Sequence, residues 1–117
     1  MDGETAIQAL SALAQSSRLA VFRALVRAGP EGLAAGVIAR RVEVTPSTLS
    51  THLNVLLQAG LVASRRAGRS IVYSARFDRM AALMAFLAED CCGGAAEVCG
   101  PVAEAAARAA CRSVAAS

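Results

Sequence analysis

Apolar residues recur at helical spacing along most of this chain, and the places where that spacing fails mark its turns and one hairpin. Ile7, Leu10, Leu13 and Ala14 predict a helix over residues 4 to 14. In the next stretch, SSRLAVFRALVRAG, the residues Leu19, Phe22, Leu25 and Val26 form a stripe expected to be buried, with Ser16 or Ser17 as N-cap. Gly29 and Pro30 end that helix, since glycine suits a C-terminal cap and proline cannot continue the backbone ladder. The EGL that follows reads as a loop. Residues 34 to 42 then predict a short helix with Val37 and Ile38 turned inward, and EVT supplies a tight turn. Thr45 caps the next helix, Pro46 takes its first position, where a missing N–H costs nothing, and Gly60 ends it.

This second helix of the pair has two contrasting faces. Leu49, Leu53, Leu56 and Leu57 gather on one arc, and Ser47, Ser50, Thr51, Asn54 and Gln58 on the other. An ordinary exposed helix face mixes Glu with Lys. This one carries hydroxyls and amides without an acid, so it can approach phosphates and base edges without repulsion. After Gly60 the period shortens: LVASRR and SIVYSAR flank Ala67, Gly68 and Arg69 as a β-hairpin with a basic tip. Helix, turn, helix and basic hairpin is the order of a winged helix, whose recognition helix enters the major groove while its wing rests on the backbone or minor groove. Residues 77 to 90 return to helical spacing with Phe77, Met80, Leu83, Met84 and Leu87, and the apolar surface reaches round to Phe86. Such a helix is either shared between two subunits or packed against the first helix of its own chain.

Composition agrees with this reading. The expected fold is mainly α with a small β-hairpin, since 56% of the 117 residues are hydrophobic but only 3% are aromatic. All twelve basic residues are arginines, the net charge is +3, and Arg65, Arg66, Arg69, Arg76 and Arg79 crowd one stretch. That permits nucleic-acid binding without requiring it, because a solvated charged face looks similar. The acidic start MDGETAIQAL is unlike a secretory signal, and no apolar run approaches the roughly 20 residues of a membrane span, so a cytoplasmic protein with no membrane partner is expected. In a reducing compartment Cys91, Cys92, Cys99 and Cys111 read as free thiols, metal ligands or redox groups rather than disulfides. No carboxylate pair or glycine-rich phosphate loop points to an enzyme, and no organic cofactor is expected.

The stretch VTPSTLSTHLNVLLQAGLVASRRAGRSIVYSAR closely resembles the DNA-binding core of the ArsR/SmtB family of metal-responsive winged-helix repressors, and the resemblance runs from about Ile7 through Leu87. It implies a homodimer paired through the first and last core helices, bound to a palindromic operator in double-stranded DNA and released by a metal or metalloid. By position, Ser47, Thr48, Ser50, Thr51 and His52 resemble recognition-helix contacts, and Arg65, Arg66 and Arg69 resemble wing contacts. His52, the single histidine, reads as a DNA or packing contact ahead of a metal ligand, since no partner ligand lies near it in sequence.

The resemblance also narrows the sensing site. Many arsenic repressors of the family carry a Cys-x-Cys pair at the start of the third helix; here Ala34 and Gly36 stand there. Family zinc sensors use Asp and His along the last helix, and this chain has Asp78 without a histidine. The sequence thus divides into a winged-helix and dimerisation domain, 1–90, and a cysteine-bearing tail, 91–117. In that tail CCGG followed by a third cysteine resembles a subset of arsenic repressors, which assigns Cys91, Cys92 and Cys99 as ligands of an inducing arsenic(III) or antimony(III).

Chemistry favours that assignment, because three soft thiolates without an imidazole suit a trigonal, lone-pair-bearing ion better than tetrahedral zinc. Arsenous acid can exchange three hydroxyls for three thiols with no net charge, whereas zinc with three thiolates would leave an anion at a helix C-terminus beside Asp90 and Glu97. Adjacent cysteines reach one ion only where regular structure ends, and Gly93 and Gly94 allow that break. Gly100 and Pro101 predict a further helix that carries Cys111 away as a bystander or a fourth ligand. Other readings are a repressor answering another soft metal, a thiol redox-sensing repressor, a metal-buffering module without DNA function, and idle thiols beside a flexible linker.

Overall fold

The structure, a computed structural model, describes residues 1–88, 100–101 and 104–105. In chain order the elements are α1 (Gly3–Leu13), α2 (Ser16–Ala28), β1 (Leu33–Ala34), α3 (Ala35–Val42), α4 (Pro46–Gln58), β2 (Val62–Ala67), β3 (Ser70–Ala75) and α5 (Phe77–Ala88). Two compact units divide the chain, Met1–Leu83 and Met84–Ser117. The first contains the helix-turn-helix and the sheet. In the second, Gly100, Pro101, Glu104 and Ala105 are helical, where the sequence places a terminal helix. The expected boundary at residues 90 and 91 lies outside the described residues, as do Cys91, Cys92, Cys99 and Cys111.

The fold is the expected winged helix-turn-helix, mainly α, with one addition. The hairpin is widened to a three-stranded antiparallel sheet of order β1-β3-β2. β1 occupies the stretch read as loop and helix start; two residues carry no periodic signal, and it exists because Leu33 and Ala34 pair with Tyr73 and Val72. Gly32, at φ 74°, lets the chain lie this close, because a Cβ there would run into the Tyr73 carbonyl oxygen. The third strand protects one edge of a hairpin that would be marginal alone.

Local capping fixes the helix starts. Asp2 accepts from the Thr5 N–H at 2.7 Å. Gln15, rather than Ser16 or Ser17, caps α2: its Oε1 accepts from the Arg18 N–H at 2.8 Å, and both serines fall inside the helix. The same Arg18 donates Nε–H to the Ala12 carbonyl at 2.6 Å, stitching the end of α1 to the start of α2.

The core is built from Val21, Phe22 and Leu25 of α2, Ile38 of α3, Leu49, Leu53 and Leu56 of α4, and Leu61, Val62 and Leu83. Leu19 departs from its expected place: it is 42% exposed, and Val21 and Ala24 take the buried side of α2. In α1 the alanines Ala6, Ala9 and Ala12 face inward, small enough to bring the helix close to α2 and α4, and Ile7 is left 68% exposed with Leu10 also at the surface. Among the described residues no helix is long and apolar enough to cross a membrane.

Candidate nucleic-acid interface

α3 and α4 are joined by Glu43, Val44 and Thr45. Glu43 closes α3 in the left-handed region at φ 57°, its N–H bonding the Ala39 carbonyl, and the Val44 N–H bonds the same carbonyl at 3.1 Å. Thr45 caps α4 by accepting from the Thr48 N–H at 3.3 Å, and Pro46 follows as expected. At the far end the Leu61 N–H bonds the Leu56 carbonyl and the Gly60 N–H bonds the Leu57 carbonyl, with Gly60 at φ 77°. This is a Schellman motif, and its accompanying contact pairs two buried leucines, Leu56 and Leu61. Leu49, Leu53 and Leu56 lock the inner face of α4, so the orientation of its outer face follows from the core.

On that outer face Ser47, Thr48, Ser50, Thr51, Asn54 and Gln58 are all exposed. Their hydroxyls are not equivalent. Thr48 Oγ1 receives the Thr45 hydroxyl hydrogen at 2.9 Å, and Thr51 Oγ1 donates to the Ser47 carbonyl at 3.3 Å. Ser50 makes no side-chain hydrogen bond among the described residues, which leaves both donor and acceptor for a ligand. His52 is half-buried on the border of the leucine arc, and its Nδ1 is buried without a partner among the described residues.

The hairpin turn is Gly68-Arg69, flanked by the Ala67–Ser70 pair. Only Gly68 has positive φ, 64°, the pattern of a type II′ turn. Arg65, Arg66 and Arg69 are exposed. Side chains alternate along β2, so Arg65 and Arg66 leave opposite faces of the ribbon. Arg65 is tied back: its Nη2 donates to the Glu31 carbonyl at 3.0 Å. Where the sheet meets α5, the Arg76 N–H bonds the Leu61 carbonyl at 2.8 Å, and the Arg76 guanidinium pairs with Asp78 at 2.8 Å, holding that carboxyl below its usual range.

Two further cations lie near the start of α4 in sequence. Arg40 and Arg41 occupy the last turn of α3, both exposed, with Val42, Glu43, Val44 and Thr45 between Arg41 and the start of α4. Their adjacency at the end of the first helix of the pair is a readable signal, since that helix crosses the backbone when its partner enters the groove. Among the described residues no three His, Cys, Asp or Glu side chains gather as a metal site, and the three predicted thiol ligands lie outside them.

A helix-turn-helix with an acid-free outer helix face and a basic hairpin beside it defines a winged-helix DNA-binding protein. A family model described as a helix-turn-helix domain matches residues 13–65. Nodulation protein NolR of Rhizobium meliloti is 35% identical over 88 residues, which cover 75% of this chain and 70% of that protein. Among solved structures, an ArsR-like transcriptional regulator from Rhodococcus sp. RHA1 superposes with a TM-score of 0.64 at 28% identity, covering 74% of this chain and 77% of that one. The homodimeric winged helix-turn-helix DNA-binding domain of Mb0332 from Mycobacterium bovis, a possible ArsR-family regulator, does so with 0.60 at 29% identity, covering 74% and 81%. The chain belongs to the ArsR family of helix-turn-helix transcriptional regulators.

Proposed function

We propose that this regulator is a cytoplasmic homodimeric repressor that binds a palindromic operator and lets go when arsenic(III) or antimony(III) is captured by Cys91, Cys92 and Cys99. The observation that carries the DNA half is the outer face of α4, where Ser47, Thr48, Ser50 and Thr51 stand exposed without a carboxylate. Arg40 and Arg41 on one side and the exposed Arg66 and Arg69 of the hairpin on the other supply the phosphate contacts. Dimerisation is supported by exposed large apolar residues on two helices, Ile7 and Leu10 of α1 and Met84 and Leu87 of α5, and by the homodimeric Mycobacterium bovis relative.

The sensing half rests on the donor set. Cys91, Cys92 and Cys99, close together in sequence in a tail without an imidazole, match a soft trigonal ion, and arsenous acid would bind them with loss of water and no change of charge. The ion would draw the tail after α5 into a compact loop and bias the dimer away from the spacing of two successive major grooves. Typical couplings of 1 to 3 kcal/mol correspond to about 5- to 150-fold weaker DNA binding.

Gel shift with the DNA upstream of the chain's own gene, with and without saturating arsenite, tests this. Wild type is expected to lose affinity by that factor and Cys91→Ser to lose none, with one arsenite bound per chain and three thiols protected. Equal affinities for both proteins in arsenite would sink the sensing half. Release by peroxide alone, reversed by dithiothreitol, would replace the metalloid with a redox trigger.

A further inference from the structure

The three arginines of the hairpin are alike in sequence but not in position. Arg65 lies on β2 in register with Val72 of the central strand β3, and Val72 in turn pairs with Ala34 of β1. Its guanidinium ends beyond β3, on the carbonyl of Glu31 in the loop that feeds β1. The residue next to that carbonyl is Gly32, pressed against the Tyr73 carbonyl with no room for a side chain, so the acceptor sits on a rigidly placed piece of backbone. Among the described residues, neither Arg66 nor Arg69 has a side-chain hydrogen bond or ion pair; Arg66 leaves the other face of the ribbon and Arg69 occupies its tip.

From this arrangement we infer that Arg65 is a positioning residue, a strap from β2 past β3 to the loop before β1 that sets the pitch of the hairpin, while Arg66 and Arg69 meet the phosphates. The inference deepens the DNA-binding reading above and rests on it. A hairpin cantilevered from a small sheet can bend about its base. A hydrogen bond from its middle to the body of the domain removes that freedom before DNA arrives, so less ordering is left to do on binding. A phosphate contact and a strap differ in one measurable respect: losing a phosphate contact lowers the slope of log K against log salt by about 0.9, whereas losing preorganisation lowers affinity at every salt concentration alike.

The experiment uses the full-length protein and a 30-base-pair duplex of mixed sequence, titrated across salt concentrations, for wild type and for Arg65→Met, Arg66→Met and Arg69→Met. Methionine keeps an unbranched side chain but can neither donate nor carry charge. Arg66→Met and Arg69→Met should each flatten the slope by about one phosphate contact or more. Arg65→Met should bind about three- to ten-fold more weakly, the worth of one hydrogen bond, with less than half that change of slope. Its hairpin amides, residues 63 to 74, should exchange faster in deuterium exchange while those of α2 and α4 do not.

A slope loss for Arg65→Met equal to that of Arg66→Met would make Arg65 a phosphate contact and overturn the strap alone. Unchanged hairpin exchange would overturn it as well. Unchanged slopes for all three variants would instead remove the hairpin from the DNA surface, and the positioning role would fall with it.

Discussion

At the scale of single residues, the turn between α3 and α4 turns on Glu43. It is the only non-glycine residue with positive φ among the described residues, and a left-handed conformation costs an L-amino acid about 1–2 kcal/mol. Its carboxylate also stands three residues before a helix whose start, in the proposed mode of binding, faces phosphates. Glu43→Gly relieves the backbone strain and adds an unfolded-state entropy cost of about 0.5–1 kcal/mol, so the net gain should be under about 1 kcal/mol, a rise of a few degrees in melting temperature. Removing the negative charge should tighten DNA binding as well. A fall in melting temperature would contradict the strain argument. The turn itself is legible in EVT, but nothing in a glutamate announces the left-handed region. The N-cap of α2 shows the same limit: two serines advertise themselves, and Gln15 wins because its longer side chain reaches the Arg18 N–H from one residue earlier.

Elements with strong periodicity and clear ends were the easiest to read. α4 has Thr45-Pro46 at one end, Gly60 at the other and leucines in phase between, and the structure reproduces each feature. α1 and β1 were harder for a common reason, which is that their placement depends on distant partners. Which side of α1 faces inward follows from close contact with α2 and α4, which favours alanine over Ile7, and β1 is defined by its pairing with Tyr73 and Val72. The two faces of α4 therefore make a sharp pair of expectations. Leu53→Ala should cost about 2–5 kcal/mol in urea unfolding, since Leu53 is 2% exposed and its loss leaves a cavity among Leu49 and Leu56. Ser50→Ala should change stability by less than about 0.5 kcal/mol and yet weaken operator binding, because its hydroxyl has no task inside the protein. If Ser50→Ala bound the operator as wild type does, the free hydroxyl would not be a reader of DNA.

For the whole molecule, the thiols of the tail are visible in the sequence, but a meeting of three sulfurs would be a property of chain path that spacing alone does not contain, and Cys91, Cys92 and Cys99 lie outside the described residues. The association of two copies is more open to argument, because it leaves a trace on the surface of one. A helix that turns its alanines inward and Ile7 and Leu10 outward has its larger apolar residues where water would be, and a second copy of the chain is the partner that fits both this surface and the palindromic operator proposed above. Ile7→Glu with Leu10→Glu places two charges on that surface and leaves Ala6, Ala9 and Ala12 in place, so each chain should still fold, melting lower by the stabilisation that association gave, while sedimentation equilibrium reports a monomer. A monomer holds one half-site. Its salt slope should fall to about half that of wild type, because half as many phosphates are contacted, and its affinity should fall further still, because the second half-site no longer benefits from being tethered to the first. A variant that still sediments as a dimer with an undiminished slope would place the subunit contact elsewhere than on α1.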